Sequence, residues 1–321
     1  MQIDLIDYDH GISALDAGLY RPRLDAIHLM IEGAGAAIID TGINSAVPAV
    51  MEALRVKGLT PTAVDYVLLT HIHLDHAGGA SQLMRLCPNA QLVVHPRGAR
   101  HMADPVKLWA ATVDVYGREE ATRNYGEIIP IPKTRIIEAT DGFRLDFRGR
   151  ELRFFDAPGH ARHHVVIRDS RAGHFFVGDC FGLAYLEVET DGRRFAFPTS
   201  SPSQFEPDLL HKTIDRVVGH KPEALYLTHY GKIGDVPRIA ADLHRLIDAH
   251  VEMARATQAS GAGGAERHAL LKRGVREIIA DEALRQGWRL SADELRAVFA
   301  IDDDLNAQGL AIWLDAQTAA A

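Results

Sequence analysis

Thr70-His71-Ile72-His73-Leu74-Asp75-His76-Ala77-Gly78-Gly79 puts three imidazoles and a carboxylate within six residues, directly after a β-branched apolar run at residues 64–69. That run reads as a strand, so the cluster starts at a strand end. In extended backbone alternate side chains share a side, which places His71 and His73 together. A turn at Leu74 lets Asp75 and His76 face a second position. The two glycines allow a tight bend into a helix close by. Imidazole nitrogen combined with carboxylate oxygen suits a borderline divalent cation such as zinc, and tolerates iron or manganese. The bland alternative is a histidine-rich surface loop; the density of the motif decides against it.

Outward from this motif, strand-like and helical runs alternate. Residues 36–40 read as a strand closed by Thr41-Gly42, and residues 45–57 carry helical spacing, with Val47, Val50, Met51 and Leu54 on one side. Residues 80–86 read as helix, 91–95 as strand and 106–125 as a mostly helical excursion. Strand signals return at 135–137, 143–147, 151–156, 165–168 and 175–177, with a hairpin turn at Asp146-Phe147-Arg148-Gly149-Arg150. A helix is expected over 203–218 and a strand over 224–228. From residue 236 the chain is helical in character, broken at Gly261-Ala262-Gly263-Gly264, and Ser291-Ala292-Asp293-Glu294 has the form of a capping box. The pattern is two β-rich halves with interspersed helices, followed by a helical region.

The run His71-x-His73-x-Asp75-His76 resembles the signature of the metallo-β-lactamase superfamily. The resemblance implies an α/β (α+β) fold, a four-layer αβ/βα sandwich over residues 1–235. Residues 236–321 would then form a helical C-terminal extension packing on or over that catalytic domain. It also implies ligands at later strand ends, and each has a match. Ala157-Pro158-Gly159-His160 supplies a histidine, Val177-Gly178-Asp179 a carboxylate able to bridge two ions, and Leu227-Thr228-His229-Tyr230-Gly231 the last histidine. Asp40, in Ile38-Ile39-Asp40-Thr41-Gly42, matches an early acid that orients a ligand imidazole.

Carried over residue by residue, one cation falls to His71, His73 and His160, the other to Asp75, His76 and His229, with Asp179 shared. Asp75, Asp179 and Asp40 are thereby the acids expected to serve catalysis. Two divalent ions, zinc foremost, would hold a hydroxide between them that attacks an ester-type carbonyl. The thioester wording Thr-His-x-His-x-Asp-His-x-Gly-Gly and the helical C-terminal part are similar to the glyoxalase II-like branch; a lactone is the neighbouring choice. The helical region shows no basic cluster of the kind that grips glutathione. A mononuclear iron, persulfide-dioxygenase-like enzyme is the first alternative, a nuclease of the superfamily the second, and a non-catalytic metal-binding protein the last. The flavo-diiron pattern has a glutamate where His73 stands.

Composition fits these expectations: 321 residues, 47% apolar and 24% charged, with a net charge of −8. The acidic balance argues against a nucleic-acid partner, and no apolar run approaches the roughly 20 residues of a membrane span. The acidic N-terminus reads as a first strand rather than a secretory leader, and the protein as cytoplasmic. A small-molecule substrate is expected, and the apolar helical tail suits a homodimer. Cys87 and Cys180 read as free thiols. His163, Tyr185 and Tyr230 are candidate substrate contacts, set against plainer readings as loop or core residues. Tyr20-Arg21-Pro22-Arg23 lies in a region that rims the site in the family, where a solvated loop is the plainer reading. Trp288 and Trp313 read as packing anchors.

Overall fold

The computed structural model describes residues 2–200, Pro202 and 204–320. Its contacts cluster into two compact units. The first comprises the described residues within 1–157, 163–178 and 222–232, and the second those within 158–162, 179–221 and 233–321.

The first unit is built on two sheets. Seven strands follow sequence order in one of them: β1 (Leu5–Asp7), β2 (Ile12–Asp16), β3 (Ala26–Glu32), β4 (Gly35–Ile39), β5 (Val64–Leu68), β6 (Gln91–Val94) and β7 (Ile136–Glu138). Pairing is antiparallel through β4 and parallel from β4 to β7. Each parallel step needs a crossover, and helices supply it. These are α1 (Val47–Val56), then α2 (Leu74–Ala77) with α3 (Ala80–Leu86), then α4 (Pro96–Ala103), α5 (Val106–Tyr116) and α6 (Arg118–Tyr125). The other sheet has six strands. In spatial order they are β13 (Gly231–Ile233), β12 (Leu225–Leu227), β11 (Phe175–Phe176), β10 (Val165–Asp169), β9 (Arg150–Asp156) and β8 (Arg144–Phe147).

One hydrophobic cluster joins the sheets: Ile12, Met30, Ile39, Leu68 and Val93 from the first meet Phe147, Phe154, Ile167, Phe176 and Tyr226 from the second. Burial of these side chains is the main stabilising term, at roughly 1.5–3 kcal/mol for each large residue. The buried Arg150 is neutralised by Asp169 through two hydrogen bonds of 2.8 and 2.5 Å, and it donates a third to the His10 carbonyl.

The second unit contains α7 (Pro207–Gly219), α8 (Val236–Ala259), α9 (Gly264–Gln286), α10 (Ala292–Val298) and α11 (Asp302–Ala320). The glycine cluster does break the helical run, between α8 and α9. Ser291 caps α10 in a reciprocal box with Glu294. Arg245 on α8 grips the buried Glu282 on α9 at 2.7 and 2.8 Å. Trp288 and Trp313 are buried, as expected of anchors. No helix among the described residues is long and apolar enough to cross a membrane.

The chain is therefore an α/β protein with two mixed sheets and a helical C-terminal extension. Differences from the sequence reading have local causes. The helix expected from 203 begins at Pro207, and Ser203 lies outside the described residues. Strand β3 carries no alternation because Ala26, Ile27, His28, Leu29 and Met30 are all buried, leaving no period of two to read. Helix α4 starts on an unusual N-cap: the His95 ring accepts the Arg97 N–H at 3.0 Å, outside the usual Ser, Thr, Asp and Asn set.

Candidate metal centre

The site residues of the first unit sit where strands end. Strand β4 ends at Ile39, and Asp40 follows in left-handed backbone (φ 53°), a conformation that aspartate tolerates better than most residues. The turn throws its carboxylate back across both sheets. It accepts the Thr70 N–H, the Thr70 hydroxyl, His76 Nδ1–H and the Thr228 hydroxyl, each at 2.8 Å. Thr70 follows β5 and Thr228 follows β12, so one buried acid ties the two sheets and α2 together.

That network fixes tautomers. A carboxylate without a proton only accepts, so His76 carries its proton on Nδ1 and presents a lone pair at Nε2. His229 Nδ1 donates to the Leu24 carbonyl at 2.9 Å, which leaves its Nε2 as an acceptor too. Both Nε2 atoms face the Asp75 carboxylate, at 3.5 Å from His76 and 3.4 Å from His229. The ligand atoms of Asp75, His76 and His229 lie within 4.8 Å of one another. Three acceptors aimed at one point, with the backs of both rings pinned, fit a cation. His71 and His73 turn ring nitrogens toward each other at 3.0 Å, a separation close to that of two ligands on one small ion with bonds of about 2.0–2.1 Å. The His71 ring lies 3.9 Å from the His76 ring, centre to centre.

His163 and His164 flank this group, with ring centres 6.1 and 4.9 Å from that of His71. His164 is buried and His163 half-buried. Gly178, after β11, has φ 48°, and a Cβ there would stand 2.6 Å from Thr70 Oγ1 and 2.7 Å from His164 Nε2. Only glycine fits that approach.

In the second unit, His160 and Asp179 are both buried and face each other, Nε2 to Oδ2, at 3.5 Å. The His160 turn is held by Thr213 on α7, whose hydroxyl donates to the Pro158 carbonyl at 2.6 Å. Cys87 and Cys180 are buried free thiols. Tyr185 is 2% exposed and gives its hydroxyl to Asp302 at 3.0 Å. Tyr230, in the first unit, has no exposed surface. Both tyrosines are buried, as His71, His76 and His160 are, and their place as substrate contacts stays a proposal.

The model of the metallo-β-lactamase superfamily matches residues 26–229, which runs from before Asp40 to His229 and includes every candidate ligand described above. The chain belongs to that superfamily. It is a metallo-hydrolase of that fold, and its histidine and aspartate clusters can hold divalent metal. It is 23% identical over 231 residues to the metallo-β-lactamase fold-containing protein ST1585 of Sulfurisphaera tokodaii, covering 70% of this chain and 79% of that one. It is 30% identical over 153 residues to the hydroxyacylglutathione hydrolase of Stenotrophomonas maltophilia, covering 48% of this chain. The match spans only 44% of that hydrolase's length. Among solved structures, the metallo-β-lactamase family protein TTHA1429 of Thermus thermophilus superposes with a TM-score of 0.65 at 21% identity, covering 96% of this chain and 94% of that one.

Within this superfamily member, several functional groups escape a reading for ligands alone. Thr70 and Thr228 each precede a histidine and each bind Asp40; the repeated Thr-His pair is the signal that could have found them. The Leu24 carbonyl is a backbone atom and carries no sequence signal. Asp25 is fully buried, and neither carboxylate oxygen has a hydrogen-bond partner among the described residues. Burial pushes this acid up to about 8, against the opposing pull of His229 and His76.

Proposed function

We propose that this metallo-hydrolase cleaves an ester-type carbonyl bond, a thioester or a lactone, in a small-molecule substrate at a centre of two divalent cations, zinc foremost. In this reading His71, His73 and His160 hold one cation, Asp75, His76 and His229 hold the other, and Asp179 is shared. The observation that carries it is the convergence of His76 Nε2, His229 Nε2 and the Asp75 carboxylate, with the far side of both rings anchored. When bound, such cations supply a water ionised near neutral pH and a Lewis acid for the developing oxyanion.

The protein's own residues do the holding. Asp40 keeps the His76 proton on Nδ1, the Leu24 carbonyl does the same for His229, and Thr70 and Thr228 fix the orientation of Asp40. The neutral-histidine donor set favours zinc, and a two-metal centre needs no separate protein base. The thioester half of the proposal leans on the relative named for hydroxyacylglutathione hydrolysis, an acyl group carried on a thiol.

The test is metal analysis of the purified protein, followed by an ester, thioester and lactone panel run on zinc-, iron- and manganese-loaded samples. Two equivalents of zinc with turnover of at least one panel member is the expected result. One iron per chain, or no turnover under any loading, would refute the proposal.

A further inference from the structure

Two helices of the second unit carry the same five-residue pattern, a histidine followed four places later by an aspartate. His211-Lys212-Thr213-Ile214-Asp215 lies on α7 and His244-Arg245-Leu246-Ile247-Asp248 on α8. Residues four apart on a helix share a face, so each segment shows its histidine and aspartate side by side.

The two pairs cross. His211 Nε2 bonds Asp248 Oδ1 at 3.2 Å, and His244 Nε2 bonds Asp215 Oδ1 at 3.1 Å. The histidine of each helix thus reaches the aspartate of the other. The imidazole planes are 14° from parallel, with ring centres 4.9 Å apart. Their Nδ1 atoms face each other at 2.6 Å.

Proton counting fixes the character of that last contact. A carboxylate only accepts, so each Nε2 carries its ring's proton. Both Nδ1 atoms are then lone pairs, aimed at one another across a distance at which two acceptors repel. Such a pair calls for a positive centre between the rings, either one further proton or a metal ion. Charge decides between the two. Among the described residues, the ion-pair partners of Asp215 and Asp248 are these histidines alone. A single proton would leave one of the two carboxylate charges unbalanced, whereas a divalent cation balances both.

The outer bonds have the form that metal sites use. A ligating histidine ordinarily donates its far N–H to a carboxylate, which fixes the tautomer and the ring orientation. Bonds of about 2.0–2.1 Å at tetrahedral angles put two ligand nitrogens about 3.3 Å apart, so the rings part by a fraction of an ångström around an ion. The side chains have room for this: His211 and His244 are 24% and 29% exposed, and Asp248 and Asp215 more so. His211 and Asp248 also line a cavity of about 740 Å³, from which water can complete the coordination.

We propose that His211 and His244 form a further metal site, which takes one borderline divalent cation of the zinc or copper kind through the two Nδ1 atoms. Asp248 and Asp215 hold the rings. Imidazole ligands suit copper(II) and zinc, while magnesium and calcium favour oxygen. An ion there ties α7 to α8. Two positions on from His211, Thr213 holds the Pro158 carbonyl in the turn before His160, so the tie stiffens the helix that supports that turn.

The experiment titrates Cu2+ into the zinc-loaded holoprotein and follows it by electron paramagnetic resonance, with released zinc measured in parallel. The wild type is expected to take up one copper per chain without losing zinc, in a spectrum that shows coupling to two nitrogens. In Asp248→Ala the copper concentration at half-saturation should rise about tenfold, the usual cost of losing a group that holds a ligand. In His211→Gln and His244→Gln it should rise further still. Copper should raise the thermal midpoint of the wild type and leave those of the histidine variants unmoved. All three variants should keep the zinc content and circular dichroism of the parent. Copper uptake matched by equal zinc loss, in wild type and variants alike, would place the copper at the hydrolytic centre and overturn the proposal. So would a half-saturation that neither histidine substitution changes. A wild-type protein that binds no copper beyond its zinc would overturn it too, and leave a proton between the rings.

Discussion

His76 donates its Nδ1 proton to Asp40 at 2.8 Å, and this one bond decides which nitrogen of His76 faces Asp75 and His229. The same carboxylate holds Thr70 and Thr228, so the tautomer of a proposed ligand and the joining of β5 to β12 depend on a single acid. Asp40→Asn tests the coupling. The amide can place either a donor or an acceptor against Nδ1, and it loses the charge that stabilises the donor ring. Zinc affinity is expected to fall by about 10- to 100-fold, measured by chelator competition, with the far-ultraviolet circular dichroism retained. Unchanged affinity would show that His76 is oriented by something else.

His73→Ala and Asp179→Ala address the proposed ligand set from both units. Each should lower metal stoichiometry and abolish hydrolysis while the protein stays folded, because neither side chain belongs to the buried apolar cluster between the sheets. Stoichiometry is read by elemental analysis, and fold by thermal unfolding of the metal-free forms. Full activity in either variant would remove that residue from the mechanism.

How much of this was readable in advance depends on whether the physics is local. His71, His73, Asp75 and His76 crowd into one short segment, so residue chemistry alone exposes them. His160, Asp179 and His229 are isolated in sequence; only their order after apolar strands, together with the family pattern, picks them out. The strands that deliver them were visible because β11 and β12 are short apolar runs, while β9 alternates Leu152 and Phe154 with the charged Glu151 and Arg153. Strand β3 hid because both of its faces are buried. The Leu24 carbonyl is invisible to any residue-by-residue reading, since every residue has one. The bond that Asn124 donates to Tyr20 was equally hidden, since the two residues stand 104 positions apart.

Gly178→Ala tests the close approach after β11. The new methyl group would enter left-handed backbone and meet Thr70 Oγ1 at 2.6 Å and His164 Nε2 at 2.7 Å. The backbone cost is about 1–2 kcal/mol, and overpacking adds about 1–3 kcal/mol. A loss of about 2–5 kcal/mol in urea unfolding is expected, together with weaker metal binding because Thr70 also holds Asp40. A Gly178→Ala protein of parental stability would mean that the turn relaxes freely.

Asp25 makes a prediction about pH with a definite sign. In the folded, metal-free chain burial pushes this acid from its ordinary 3.8 up to about 8, while in the unfolded chain it ionises at the ordinary value. Between these limits the native state holds the extra proton, so its contribution to stability falls as pH rises from about 4 to about 8 and is constant above that. Asp25→Asn keeps the shape and removes the ionisation. The asparagine variant should therefore gain on the parent steadily as pH is raised from 5 to 8, and the gap should stop growing at higher pH. Thermal midpoints of the two metal-free proteins, measured across this range, give the comparison. Parallel curves would mean that Asp25 ionises in the fold as it does in water, through a partner or water that compensates its charge.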